Sequence, residues 1–241
     1  MEAVVLLLIG FLLSHFCNAA PKRAGDIMLP PGTDRAAMNF NLRPEQKWPN
    51  GVVPYYIDNT FSSSESDFIL YAMDQFEYYT CIRFVPWTEE YTYWIWITKT
   101  NACQSYIGRI SESHGQYLEL AAGCLQMLGI PIHELMHAIG FFHEHTRPDR
   151  DDYVTIHWDQ IDTDLWYNFE KRSSSEVDSL GSPYDYSSVM HYGRYDFAKS
   201  SLPTITPKDP SATIGQREYF VWSDIIGINN LYNCDCNVYQ C

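Results

Sequence analysis

The stretch His133-Glu134-Leu135-Met136-His137-Ala138-Ile139-Gly140-Phe141-Phe142-His143-Glu144 decides how the chain is read. His133 and His137 are four residues apart, so on a helix their imidazoles share one face, one turn apart. Two neutral imidazoles so placed can hold one zinc ion at about 2.0–2.1 Å each. Glu134 is rotated about 100° from His133 by helix geometry. Its carboxylate therefore stands beside the metal, where it can act as general base on a zinc-activated water. His143 follows His137 by six residues. A continuing helix would carry it roughly 9 Å along the axis, too far to share the ion. The chain has to turn back, and Gly140 sits where the turn is needed, because glycine takes φ > 0 without a Cβ penalty. Three histidines leave a coordination position open, which marks a catalytic zinc and argues against a zinc-stapled structural domain. A bare His-Glu-x-x-His arises by chance in many proteins. The glycine and third histidine at fixed offsets make the pattern specific.

Other stretches extend the pattern. Ser187-Ser188-Val189-Met190-His191-Tyr192 lies downstream, Trp48-Pro49-Asn50-Gly51-Val52-Val53-Pro54-Tyr55 upstream, and Ile228-Asn229-Asn230-Leu231-Tyr232-Asn233-Cys234 near the end. With Thr206-Pro207-Lys208-Asp209-Pro210 and the run from His133 to Val154, these resemble the astacin family of zinc metalloendopeptidases, within the metzincins. The resemblance covers nearly all of the chain after its first residues. It implies an α+β, two-lobed zincin-like catalytic domain. A twisted five-stranded sheet with helices would form the N-terminal lobe, at about residues 36–140. An irregular lobe with a C-terminal helix would form residues 141–241. It also implies one catalytic zinc ion on His133, His137 and His143, with Glu134 as general base and Tyr192 as donor to the tetrahedral oxyanion. Met190 would be an apolar floor beneath the imidazoles, in the Met-turn. His191 would point away from the metal.

Composition agrees with a secreted globular domain. The chain has 241 residues, 46% hydrophobic and 19% charged, with eighteen tyrosines and seven tryptophans, enough for one domain with a sizeable core. A net charge of −14 argues against nucleic acid or an anionic membrane as partner. Residues 1–19 read as a signal peptide, although Glu2 stands where a basic residue is usual. The apolar run from Val4 to Leu13 is too short to span a bilayer, and no later run is long enough to do so. The expected location is extracellular and the expected state a monomer.

Six cysteines follow the leader, and an even count in a secreted chain points to disulfides. The resemblance implies Cys81–Cys234 and Cys103–Cys124, leaving Cys236–Cys241. Exchange of Cys234 and Cys236 as the partner of Cys81 stays open. Residues 20–35 form an expected pro-segment. Gly25-Asp26 resembles the end of the family's latency motif, in which the aspartate takes the water's place on zinc, although Arg23 stands where the family has phenylalanine. An activating protease would cut after Arg35, or nearer Asn39, to release a catalytic domain at residues 36–241. The resemblance implies that the new ammonium then meets Glu144, which lacks this partner until the cut.

Periodicity supplies the remaining elements. Residues 51–58, 82–87, 93–98, 105–110 and 117–121 read as strands, the third apolar on both faces and so central. Ser62-x-x-Glu65 is a capping box opening a helix with Ile69, Ala72, Met73 and Phe76 on one face. The resemblance implies an edge strand that binds protein or peptide substrates in extended form by strand addition, and residues 115–120 are assigned to it. His114, His145 and His157 have no ligand spacing and read as surface or satisfied histidines. The rival function is a catalytically silent zinc-bearing binding protein. The presence of both Glu134 and Tyr192 argues against it.

Overall fold

The computed structural model describes residues 23–28, 44–110 and 115–235. The expected signal peptide, the cut site at Arg35 or Asn39, His114, Cys236 and Cys241 lie outside the described residues. The chain forms a two-residue hairpin, β1 (Arg23–Ala24) and β2 (Ile27–Met28), then β3 (Val52–Ile57), α1 (Ser63–Tyr79), β4 (Arg83–Pro86), β5 (Trp94–Thr98), β6 (Cys103–Tyr106) and β7 (Gly115–Leu120). After α2 (Gly129–Ala138) come short 3-10 turns, the ribbon of β8 (Val154–Ile156) and β9 (Ile205–Pro207), and α3 (Trp222–Tyr232). This is an α+β architecture with one main sheet, ordered β1-β2-β6-β7-β5-β3-β4.

β5 is central because it is apolar on both faces. Ile95 and Ile97 are fully buried against the helices, while Trp94 and Trp96 cover the outer face. It pairs in parallel with β3 and β7. α1 begins at the reciprocal cap read from the sequence: the Ser62 backbone N–H donates to Glu65 Oε2 at 2.8 Å, and the Glu65 N–H to Ser62 Oγ at 3.4 Å. Such a cap satisfies backbone donors that the first turn cannot pair. Ile69, Ala72, Met73 and Phe76 face the core.

The expectation that residues 115–120 are the substrate edge is corrected. β7 is interior, hydrogen-bonded to β5 on one side and antiparallel to β6 on the other. The edge of the five main strands is β6, Cys-Gln-Ser-Tyr, and the 23–28 hairpin adds β2 to it in parallel. Alternation shows which face of a strand is buried, not its lateral order. The short polar composition of β6 is the edge signature.

Among the described residues, two disulfides staple the fold. Cys81–Cys234 joins the end of α1 to the end of α3, and Cys103–Cys124 joins the start of β6 to the turn after β7. The end of α2 is held from three directions. Trp48 Nε1 donates to Ala138 O at 2.8 Å, Tyr232 Oη to Ile139 O at 2.9 Å and the Gly108 N–H to His137 O at 2.9 Å. Carbonyls left free by the last helical turn are thereby satisfied, and the exit from α2 is fixed. Among the described residues no helix is long and apolar enough to cross a membrane.

Candidate metal centre

α2 carries His133, Glu134 and His137, all at most 2% exposed. The helix ends at Ala138, and Gly140 adopts φ 117°, a region that penalises any side chain. The turn brings His143 back, so that His137 Nε2 and His143 Nε2 are 3.2 Å apart. The hairpin between β1 and β2 delivers the fourth group. Asp26 Oδ2 lies 2.9 Å from His133 Nε2, 3.0 Å from His143 Nε2 and 4.0 Å from His137 Nε2. These four ligand atoms all lie within 4.8 Å of one another.

Backbone carbonyls fix which imidazole nitrogen faces inward. His133 Nδ1–H donates to Val189 O at 2.8 Å, and His137 Nδ1–H to Phe141 O at 2.7 Å. In the neutral ring Nε2 then carries the lone pair. Burial holds the pKa of His133 well below 6.5 and that of His143 at about 4, although Asp26 opposes this. Lone pairs and a carboxylate converging at this range repel one another unless a cation lies between them. The donor set suits zinc: three imidazole nitrogens and one carboxylate oxygen, with separations of 2.9–4.0 Å. A tetrahedral ion with ligands at about 2.0–2.1 Å would set its ligand atoms about 3.4 Å apart.

Glu134 stands beside this set with Oε2 buried and without a hydrogen-bond partner among the described residues. Burial, and then the charge of Asp26, raises its pKa well above 4.5. The Tyr192 hydroxyl donates to Asp26 Oδ1 at 3.0 Å. Burial, then Asp26, keeps that phenol neutral and so a donor. Met190 is buried in a turn closed by His191 N–H to Ser188 O at 3.0 Å, and its own carbonyl accepts from the Glu144 N–H at 3.0 Å.

Several groups were not marked by sequence spacing. Asp224 on α3 pins the Met190 turn, accepting from Ser188 Oγ (2.6 Å), Val189 N–H (3.1 Å) and Val221 N–H (3.2 Å). The turn in turn orients His133 through Val189 O. His145, expected to be a surface or satisfied histidine, is fully buried: its ring stacks on Tyr192 at 4.1 Å and on His143 at 5.4 Å. Its Nε2–H donates to Asn168 O at 3.0 Å, and its Nδ1 has no partner among the described residues. An i, i+2 spacing on a 3-10 turn gives no periodic cue to such stacking. His157 hydrogen-bonds Thr206 Oγ1, and His191 is turned to Tyr184 Oη and Tyr192 O.

Glu144 has partners of its own in this chain. It accepts from Asp185 N–H at 2.9 Å and Arg147 Nη1 at 3.2 Å. Burial raises its pKa to about 7, with Arg147 opposing. Beside it lies a cavity of about 480 Å³ whose lining includes Lys47, Arg147, Ser223 and Asp224.

The family model described as Astacin, a peptidase family, matches residues 40–233. The chain belongs to the astacin family. It is 42% identical over 201 residues to zinc metalloproteinase nas-14 of Caenorhabditis elegans, covering 83% of this chain and 40% of that one. It is 41% identical over 216 residues to the low choriolytic enzyme of Oryzias latipes, covering 87% of this chain and 77% of that one. High choriolytic enzyme 1, a hatching-enzyme zinc-protease from Oryzias latipes, superposes with a TM-score of 0.72 at 44% identity, over 78% of this chain and 94% of that chain. The astacin chain described here thus spans well under half the length of nas-14, and 33% of nas-15.

Proposed function

We propose that this chain is a secreted zinc-dependent endopeptidase of the astacin type, made as a zymogen. One observation carries the reading: the Nε2 atoms of His133, His137 and His143 converge on one point, and a carboxylate from the preceding segment meets them there. A single zinc ion held by the three histidines would supply Lewis acidity, polarising the scissile carbonyl and acidifying water. Glu134 takes the proton of the attacking water and passes it to the leaving amine, a role that suits a buried carboxylate with a raised pKa. Tyr192, a neutral phenol, donates to the oxyanion of the tetrahedral state. Met190 is the apolar floor. Once residues 23–28 have left it, an extended protein substrate pairs with the edge of β6.

Residues 1–19 act as signal peptide, 20–35 as pro-segment and 36–241 as catalytic domain, in lobes that meet near Gly140. Latency follows from Asp26, which engages the imidazoles through one carboxylate oxygen and Tyr192 through the other. The Ser105 N–H donates to Asp26 O at 2.8 Å, so the same residue also covers the edge strand. β2 runs parallel to β6. The family resemblance implies a substrate antiparallel to the edge strand, so the pro-segment runs the other way and fills the cleft without presenting a cleavable bond. A cut after Arg35, or nearer Asn39, frees an ammonium that displaces Arg147 as the charged partner of Glu144. Cys236–Cys241 completes the disulfides, and the protein is a monomer.

The test is an assay of the chain starting at Ala36 on an unstructured protein, beside a Glu134→Ala form and a chelated sample. Cleavage by the first alone is expected. Full zinc occupancy with no cleavage of the protein or of a peptide library, for chains starting at residues 36 through 39, would establish the silent binding protein instead.

A further inference from the structure

Asn168 lies near the end of the 3-10 turns Thr163–Phe169 and is 5% exposed. Its Nδ2 has no hydrogen-bond partner among the described residues. Most buried amide donors are paired, because leaving one unpaired is costly. Asn229 is a local contrast, its Nδ2 donating to Tyr79 O at 3.1 Å.

The place of Asn168 accounts for the difference. A Cβ built on Gly25 would lie 3.1 Å from Asn168 Oδ1, 3.1 Å from the Tyr192 hydroxyl oxygen and 3.0 Å from Phe197 Cζ. The amide and the phenol therefore border one narrow slot, filled in the uncut chain by Gly25 and Asp26. Asp26 satisfies the Tyr192 hydroxyl and leaves the amide donor unpaired. The backbone that carries the amide is also anchored. Asn168 O accepts from His145 Nε2–H, and the His145 ring stacks on Tyr192. An amide carries its N–H groups and its oxygen on one carbon, so either orientation keeps a donor at or beside the wall of the slot.

We propose that Asn168 is a substrate-binding residue, whose side-chain amide donates to a backbone carbonyl of the extended peptide beside the scissile bond. This rests on the peptidase reading above. A peptide entering the vacated slot presents carbonyl acceptors whatever its side chains. The pairing is a gain open to the substrate and not to the pro-segment, so it favours exchange of one for the other.

The test compares the activated wild type with Asn168→Ala and Asn168→Asp. Each is assayed on one peptide and on a set in which single peptide bonds flanking the scissile bond are replaced by alkene isosteres, which lack the carbonyl acceptor. Both variants should lose roughly tenfold in kcat/KM, carried by KM, with zinc content unchanged. At one position the isostere should cost the wild type a similar factor and the variants nothing further. Full kcat/KM in the Asp form, or isostere penalties that multiply with the substitution at every position, would overturn the proposal. A zinc-loaded wild type that cuts none of the peptides would overturn the peptidase reading itself, and this inference with it.

Discussion

Replacing Asp26 should awaken the uncut chain. Its carboxylate makes three polar contacts: Oδ2 with His133 Nε2 (2.9 Å) and His143 Nε2 (3.0 Å), and Oδ1 with the Tyr192 hydroxyl (3.0 Å). Only the Tyr192 contact pairs a donor with the carboxylate, worth up to about 3 kcal/mol for a charged acceptor; the hold of Oδ2 on a metal shared with the histidines would add to it. The loss of about 3 kcal/mol shifts the balance between covered and open cleft by roughly 150-fold. Asp26→Ala should therefore raise the basal activity of the uncut chain by about two orders of magnitude. Asp26→Asn keeps an acceptor for Tyr192 and should rise less. Backbone contacts survive in both, notably Ser105 N–H to Asp26 O. A quenched-fluorescence peptide assay reads the activity, with intact mass recorded on the same sample to show that residues 20–35 remain attached. If uncut Asp26→Ala stays as silent as wild type while the separately cut form is active, the aspartate is not what keeps the cleft closed.

Four further outcomes follow from the structure. Tyr192→Phe keeps the ring stacked on His145 but removes the oxyanion donor, so kcat should fall about 10²–10³-fold with little change in KM; a fall under threefold in steady-state kinetics would remove Tyr192 from the chemistry. Asp224→Ala leaves the Ser188 hydroxyl and the Val189 and Val221 N–H groups unpaired, at about 1 kcal/mol or more each. Its thermal midpoint should drop by roughly 6–12 °C, and an unchanged melt would show that another group holds the turn. Burial lifts the Asp224 pKa from 3.8 to about 6, so the folded chain binds a proton that the unfolded chain releases. That contribution is complete below pH 3.8 and lost as pH rises through 6, a slope worth roughly 3 kcal/mol. Denaturant midpoints between about pH 4 and 7 should show it in wild type and not in Asp224→Asn; equal slopes would refute it. Replacing Cys81 and Cys234 by serine opens a loop with a separation of 153 residues, worth up to about 5 kcal/mol in chain entropy. Calorimetry should show a lower melt by roughly 10–20 °C, and a fall of under about 2 °C would count against the entropic account.

Legibility divides along physical lines. Local rules acted wherever one element decides its own shape. Ser62 and Glu65 cap α1 as their spacing requires, and Ile95 and Ile97 between outward tryptophans made β5 central. Gly140 turns the chain because the offset to His143 admits no straight helix. Lateral order obeyed no local rule. The pattern of Gly115–Leu120 is the same in an interior strand as at an edge, and the edge on that side lies at its neighbour β6, covered here by β2.

The same limit explains why the supporting groups of the site were hidden while its ligands were not. The histidines are held by sequence-local geometry, a helix and a turn. Their tautomers are set by the carbonyls of Val189 and Phe141, and backbone groups carry no residue signature. Asp224 acts across 35 residues through the amide of Val189. His145 and Asn168, 23 residues apart, meet through an imidazole and a carbonyl. Such contacts exist only once both lobes have folded against each other. They also fix the tolerance of the site. A ligand histidine cannot be moved by one residue, whereas a change at Asp224 or Asn168 acts on the cleft while leaving the zinc-binding pattern intact. Chains that keep His133, Glu134, His137 and His143 can therefore differ in stability and in the lining of the cleft through residues that no spacing rule marks.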